Sequence, residues 1–198
     1  MPIEKLRGII APEVLISLNT EHERRMSLTI KEDDPAAKLK EVRLTGFESA
    51  TVAFRLDHKG KRVSEFINAA CKNINKGCDA IIITSSEGNG YIFICELKSE
   101  SPKGYREQML ASSAFVKYLN AMLDNFFGLT LGKFKIKYIL FYKKRINKRR
   151  LRHSAIPPEK KQKGRLTILK YPNPPNPLNI KSIMRYFSNL GFCHTEKL

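Results

Sequence analysis

Between Gly77 and Lys98 the chain carries two short apolar runs separated by Ser-Ser-Glu-Gly-Asn-Gly, and no other stretch restricts the fold so strongly. The first run, Ala80–Thr84, is mostly β-branched; the second reads Tyr91-Ile-Phe-Ile-Cys95. Consecutive apolar positions bounded by glycine-rich breaks predict strands with both faces buried, joined by a reversal over residues 85–90. Two such strands in mid-chain belong at the centre of a sheet. Charge appears only at their open end, as Asp79, Glu96 and Lys98.

Side chains alternate along a strand, so Glu96 and Lys98 leave the same face. A four-residue hairpin loop at Glu87–Gly90 sets Asp79 opposite Lys98. A loop at Ser86–Asn89 sets it opposite Glu96 instead. In either register all three share a face, with directly opposed Cβ atoms about 5 Å apart. An odd-length loop separates them. Two carboxylates beside an ammonium form a divalent-cation site, and their hard oxygens suit Mg²⁺ (or Mn²⁺) completed by water and phosphate oxygens.

An acid, a hairpin, then Glu96-Leu97-Lys98 resembles the PD-(D/E)xK nuclease superfamily. The resemblance covers roughly residues 62–142. Asp79 matches the first acid, Glu96 the second and Lys98 the lysine; Cys78 stands where the leading proline of the motif would be. The resemblance implies an α/β fold with a restriction-endonuclease-like mixed central sheet flanked by helices. It further implies a Mg²⁺ ion held by Asp79, Glu96 and the carbonyl of Leu97, with Lys98 orienting the attacking water. Glu65, ahead of the first strand, is the candidate for a further acidic residue, although it points away from the apolar face of its segment.

Val63, Phe66, Ile67, Ala70, Cys71 and Ile74 recur at helical spacing, which predicts a helix over 62–76 capped by Gly77. Ser101-Pro102 predicts the start of a long helix, with Tyr105, Met109, Ser112, Val116, Leu119, Met122, Leu123 and Phe126 on one stripe. Gln108 lies inside that stripe. It is either a core glutamine satisfied by backbone groups or a residue reaching the metal site or a phosphate, and the superfamily resemblance favours the second. Phe134–Tyr142 reads as a third core strand.

The first 60 residues predict a β-rich addition, with strands at Val14–Leu18, Ser27–Ile30 and Thr51–Leu56. Beyond residue 142 the pattern predicts a loop through Lys163, a short strand at Leu166–Leu169 and a polyproline-like linker at Tyr171–Pro177. A last helix follows at about Asn179–Leu190. The whole chain reads as a single domain, its core about 62–142 and a basic extension about 143–198.

The formal charge of +17 is unevenly placed. Residues 125–198 hold 18 Lys and Arg against two acids, and residues 1–124 hold 18 against 17. A near-neutral front and a strongly basic back suit nucleic acid or an anionic membrane surface. The segment Lys143–Arg152 lacks the apolar face an interfacial helix needs, and the nuclease resemblance implies nucleic acid, DNA more readily than RNA. Lys143, Lys144, Arg145, Lys148, Arg149, Arg150 and Arg152 lack interleaved aromatics, so they would grip phosphates without reading bases.

No apolar run approaches a membrane span, and the N-terminus has no signal-peptide core, so the expected setting is the cytoplasm and no membrane partner is expected. Cys71 and Cys95 are expected as buried thiols. The function that fits is Mg²⁺-dependent hydrolysis of nucleic-acid phosphodiesters, with Asp79, Glu96, Lys98 and Gln108 as the catalytic set. The alternative is a non-catalytic basic nucleic-acid-binding protein. Either could work as a homodimer.

Overall fold

The computed structural model describes residues 2–21, 25–58, 63–68, 70–71, 74–100, 102–145 and 156–188. A helix, α1 (Pro2–Ile9), and a 3₁₀ turn (Pro12–Val14) come first. Strands β1 (Asn19–Thr20), β2 (Met26–Lys31), β3 (Glu41–Phe47), β4 (Thr51–Phe54), β5 (Ala80–Ser86) and β6 (Asn89–Lys98) follow. Helix α2 (Tyr105–Phe127) leads to β7 (Lys135–Tyr142), β8 (Glu159–Lys163), β9 (Leu166–Pro172), β10 (Leu178–Asn179) and α3 (Ile180–Ser188). The protein is mixed α/β. No described helix is long and apolar enough to cross a membrane.

The six-stranded sheet has the order β4-β5-β6-β7-β9-β8, which puts the two apolar runs near its centre. β4, β5 and β6 pair antiparallel, β7 and β9 continue parallel to β6, and β8 closes the edge antiparallel. A parallel step needs a crossover, and α2 supplies it between β6 and β7. Because both faces of the sheet are covered at its centre, β5 and much of β6 are continuously apolar rather than alternating.

One face packs Ile81, Ile83, Ile92 and Ile94 against Leu6 of α1 and Met109 and Val116 of α2. The other packs Ile82, Phe93, Ile139 and Phe141 against Leu28 and Leu44 of the second sheet and Ile183 of α3. That second sheet has the order β1-β2-β3-β10.

Several expectations need correction. The stretch 62–76 is not a helix: its described residues form turns and bends. Short polar side chains hold the backbone instead. Ser64 N–H donates to the Asn75 side chain at 2.7 Å, Phe66 N–H to Ser64 Oγ, and Ala70 N–H to Asn68 Oδ1. Such bonds offer the backbone an alternative to the helical ladder. Phe66 is therefore wholly exposed, and Cys71 is an exposed thiol rather than a buried one; Cys78 and Cys95 are buried. Gly77 is no helix cap. A Cβ there would lie 2.1 Å from Leu56 Cβ, so the position serves close chain approach.

Helix α2 begins at Tyr105, behind Gly104 at φ +72°, and not at Pro102; Ser101 lies outside the described residues. The stretch Lys160–Lys163 is a strand rather than a loop, unreadable from hydropathy because β8 is an exposed edge. The predicted strand at Val14–Leu18 is reduced to a 3₁₀ turn and one bridge, Leu15 to Phe54. The N-terminal part is β-rich as expected, but β4 pairs into the main sheet and α1 covers its face. The basic part beyond residue 142 is woven in rather than appended: β8 and β9 complete the large sheet, and β10 joins the small one.

Candidate active site

The β5–β6 hairpin turns at Glu87 and Gly88, with Ser86 paired to Asn89 and Ser85 to Gly90. Both turn residues have positive φ, 51° and 75°. A two-residue turn of this hand matches the twist of the strands it joins. The reversal falls two residues before the Asn-Gly pair, so Asn89 and Gly90 belong to β6.

The pairing continues to Ala80 opposite Cys95. One step further, Asp79 stands opposite Glu96, the second of the two registers open to the sequence. Asp79, Glu96 and Lys98 share the face that carries Ile81, Ile83, Ile92 and Ile94, beneath α2.

The acids are deeply placed: Glu96 is 0% exposed and Asp79 4%. Asp79 Oδ2 accepts the N–H of Leu97 at 2.6 Å, which ties the strand entry to the end of β6. Glu96 forms an ion pair with Lys98 Nζ through Oε1, and the backbone N–H of Asp79 also acts on its carboxylate. Burying a charge is costly even when it is paired.

Burial accordingly pushes Asp79 up to about 7. The Leu97 amide works against that rise, the charges of Glu32 and Asp57 add to it, and Lys98 opposes it. Glu96 is held well above the usual carboxylate range by burial and then by the Asp79 charge, against the pull of Lys98. Burial works to lower Lys98, but the Glu96 charge and contact, followed by Asp79 and Glu32, outweigh it and raise the ammonium. Glu32 and Asp57 are site-shaping charges that sequence reasoning missed. Their signal was faint: Glu32 opens an acid run after β2, and Asp57 sits in the turn after β4.

A cavity of about 350 Å³ opens beside Asp79, lined also by Glu13, Thr29, Lys31, Arg55 and His58. His58 Nδ1 faces no partner among the described residues. Glu65 lies elsewhere, on an apolar groove between the 63–74 turns and α2, and its charge is not among those acting on either buried acid.

Gln108 is buried, and its Nε2 donates to Gly77 O at 3.2 Å. One turn on, Ser112 Oγ accepts the N–H of Cys78 at 3.0 Å. Of its two readings, the structure gives Gln108 the backbone partner. With Ser112 it pins the segment that delivers Asp79.

Of the seven basic residues singled out after β7, Lys143, Lys144 and Arg145 are described, and all three are exposed. Lys143 N–H donates to Lys98 O, so this run leaves β7 beside the end of β6, the strand that carries Lys98. Arg145 pairs with Glu100 at 2.6 Å. Lys148, Arg149, Arg150 and Arg152 lie outside the described residues.

Among the described residues no group of three or more His, Cys, Asp or Glu is placed to hold a metal ion. A cation here would rest on two carboxylates and on backbone, water or substrate oxygens. That donor set fits Mg²⁺, which keeps several waters and takes one or two carboxylates. No family model, no curated protein and no solved structure matches the chain.

Proposed function

We propose that the protein is a metal-dependent nuclease that hydrolyses nucleic-acid phosphodiesters, more readily DNA than RNA, on a restriction-endonuclease-like core. The observation that carries this reading is the register of one hairpin, which brings Asp79 opposite Glu96 with Lys98 on the same face.

In this reading Asp79, Glu96 and the carbonyl of Leu97 hold Mg²⁺ or Mn²⁺. Such an ion supplies a Lewis acid for a phosphate oxygen and a bound water of lowered pKa. The chain does the rest. Asp79 keeps one oxygen on the Leu97 amide and so fixes the spacing of the two strand ends. Glu96 offers a buried carboxylate whose charge Lys98 already balances in part. Lys98, held cationic by both acids, orients the attacking water and stabilises charge that develops on the phosphate. Gln108 acts as a positioning residue through Gly77, and the walls of α2 and β2 keep bulk water away.

The Glu96–Lys98 ion pair favours a second reading, a binding protein in which the acids and the lysine satisfy one another. One experiment separates the two. The purified protein is incubated with single- and double-stranded DNA and RNA in Mg²⁺, Mn²⁺ or EDTA, beside Glu96→Gln. Cleavage that needs the ion and disappears in Glu96→Gln supports the nuclease. Binding without cleavage in any ion, or a Glu96→Gln protein that cuts at the parental rate, overturns it.

A further inference from the structure

We infer that the β8–β9 hairpin, on the same sheet face as the acidic pair, is the docking strip for the substrate's phosphate backbone, and that the nucleic acid leaves the site across β7 towards this edge. The inference rests on the nuclease reading for its location and deepens it by giving the direction of the substrate.

Register gives the placement. Glu96 pairs with Leu140, Leu140 with Lys170, and Lys170 with Glu159, so Glu96 and Lys170 share one row and one face. Two strand spacings, roughly 10 Å, separate them. Lys161 pairs with Ile168 and Lys163 with Leu166. Both of those apolar residues belong to the cluster on the acid-bearing face, so Lys161 and Lys163 stand on it too. Lys160 pairs with Leu169, whose cluster lies on the opposite face.

Aromatic rings hold two of these ammonium groups in place. Lys170 Nζ lies 5.6 Å from the centre of the Tyr142 ring, and Tyr142 is the strand partner of Lys98. Lys163 Nζ lies 4.4 Å from the Tyr105 ring. Cation–π contacts of this kind orient a long side chain, and Lys170 also pairs with Glu159 at 3.8 Å, a contact that a phosphate would have to displace.

Charge decides the direction. On the β4–β5 side, Asp79 is flanked by the acids Glu32 and Asp57, and its cavity sets Glu13 against Lys31 and Arg55, so that side carries no excess of positive charge. On the β9–β8 side, Lys161, Lys163, Arg165 and Lys170 face one acid, Glu159. An edge strand needs little charge to deter pairing with another chain. Four cations, three of them on the acid-bearing face, exceed that need.

The test uses full-length protein carrying Asp79→Asn, so that DNA is not cut, and a fluorescein-labelled duplex read by anisotropy at increasing KCl. Lys161→Gln/Lys163→Gln/Lys170→Gln should lower the slope of log K against log salt by up to roughly 0.9 per lost contact. The same three positions as arginine should restore it. Lys160→Gln, on the other face, should leave it nearly unchanged. A triple variant with the parental slope and an unchanged melting temperature overturns the inference, as does a Lys160→Gln effect equal to that of Lys161→Gln. Cleavage by protein with an intact Asp79 is scored separately, so loss of cutting counts against the nuclease and not against the strip.

Discussion

At the scale of single residues, the molecule places its acids where ionisation is penalised. Asp79 and Glu96 both bind protons more tightly folded than unfolded. Their contribution to stability is therefore full below about pH 4, the ordinary carboxylate range, and declines as pH rises towards and through about 7 for Asp79. The decline should reach about 1.4 kcal/mol per pH unit for each titrating group. Urea denaturation of metal-free protein should show greater stability at pH 5 than at pH 8, and Asp79→Asn should flatten that difference. The amide can still accept the Leu97 N–H, so the variant keeps the local geometry. Mg²⁺ or Mn²⁺ should raise the melting temperature of the parent but not of Asp79→Asn; equal shifts in both would mean that the ion binds elsewhere.

At the scale of elements, the hairpin was legible and its surroundings less so. Ala80–Thr84 and Tyr91–Cys95 are apolar on both faces, a pattern that only a doubly covered strand produces, yet the acids at their ends are covered too. Sequence leaves the register between two even loops, Glu87–Gly90 and Ser86–Asn89, because Ser, Glu, Gly and Asn in this run offer no single preferred turn pair. The stretch 63–76 misled through its period: apolar residues at helical spacing were overruled by Ser64, Asn68 and Asn75, whose side chains bond the backbone locally. β8 has no apolar residue, so only pairing reveals it. Helix α2 was visible as a stripe, but its role in holding the site lies in two polar residues within that stripe. Ser112→Ala should leave the buried Cys78 N–H without a partner and cost about 1–3 kcal/mol in chemical denaturation. A change below a few tenths would show that the N–H finds another acceptor.

At the scale of the whole molecule, the proposed function gives two basic runs one polyanion to grip. Replacing Arg149, Arg150 and Arg152 with glutamine should lower the salt slope of DNA binding by roughly 0.9 per lost contact, weaken all sequences alike and spare the rate at saturating substrate. An unchanged slope would assign the affinity to the β8–β9 strip. The hairpin that carries Asp79 and Glu96 has a different consequence, in time rather than space. It closes over a two-residue turn, whereas its cover arrives from far along the chain: α2, then β7, then β9. Local pairs form readily and distant ones late. The acids should thus come together while still wet and lose their water only as the parallel strands dock. Interactions completed after the folding barrier act on the rate of unfolding. Raising the pH of metal-free protein from 5.5 to 8 should accordingly speed unfolding in stopped-flow measurements and leave the refolding rate almost untouched. Slower refolding with unchanged unfolding would mean that the acids are already dry at the barrier. If unfolding does carry the effect, a bound cation acts as a latch on a door that has already shut, lengthening the life of the folded protein without hastening its birth.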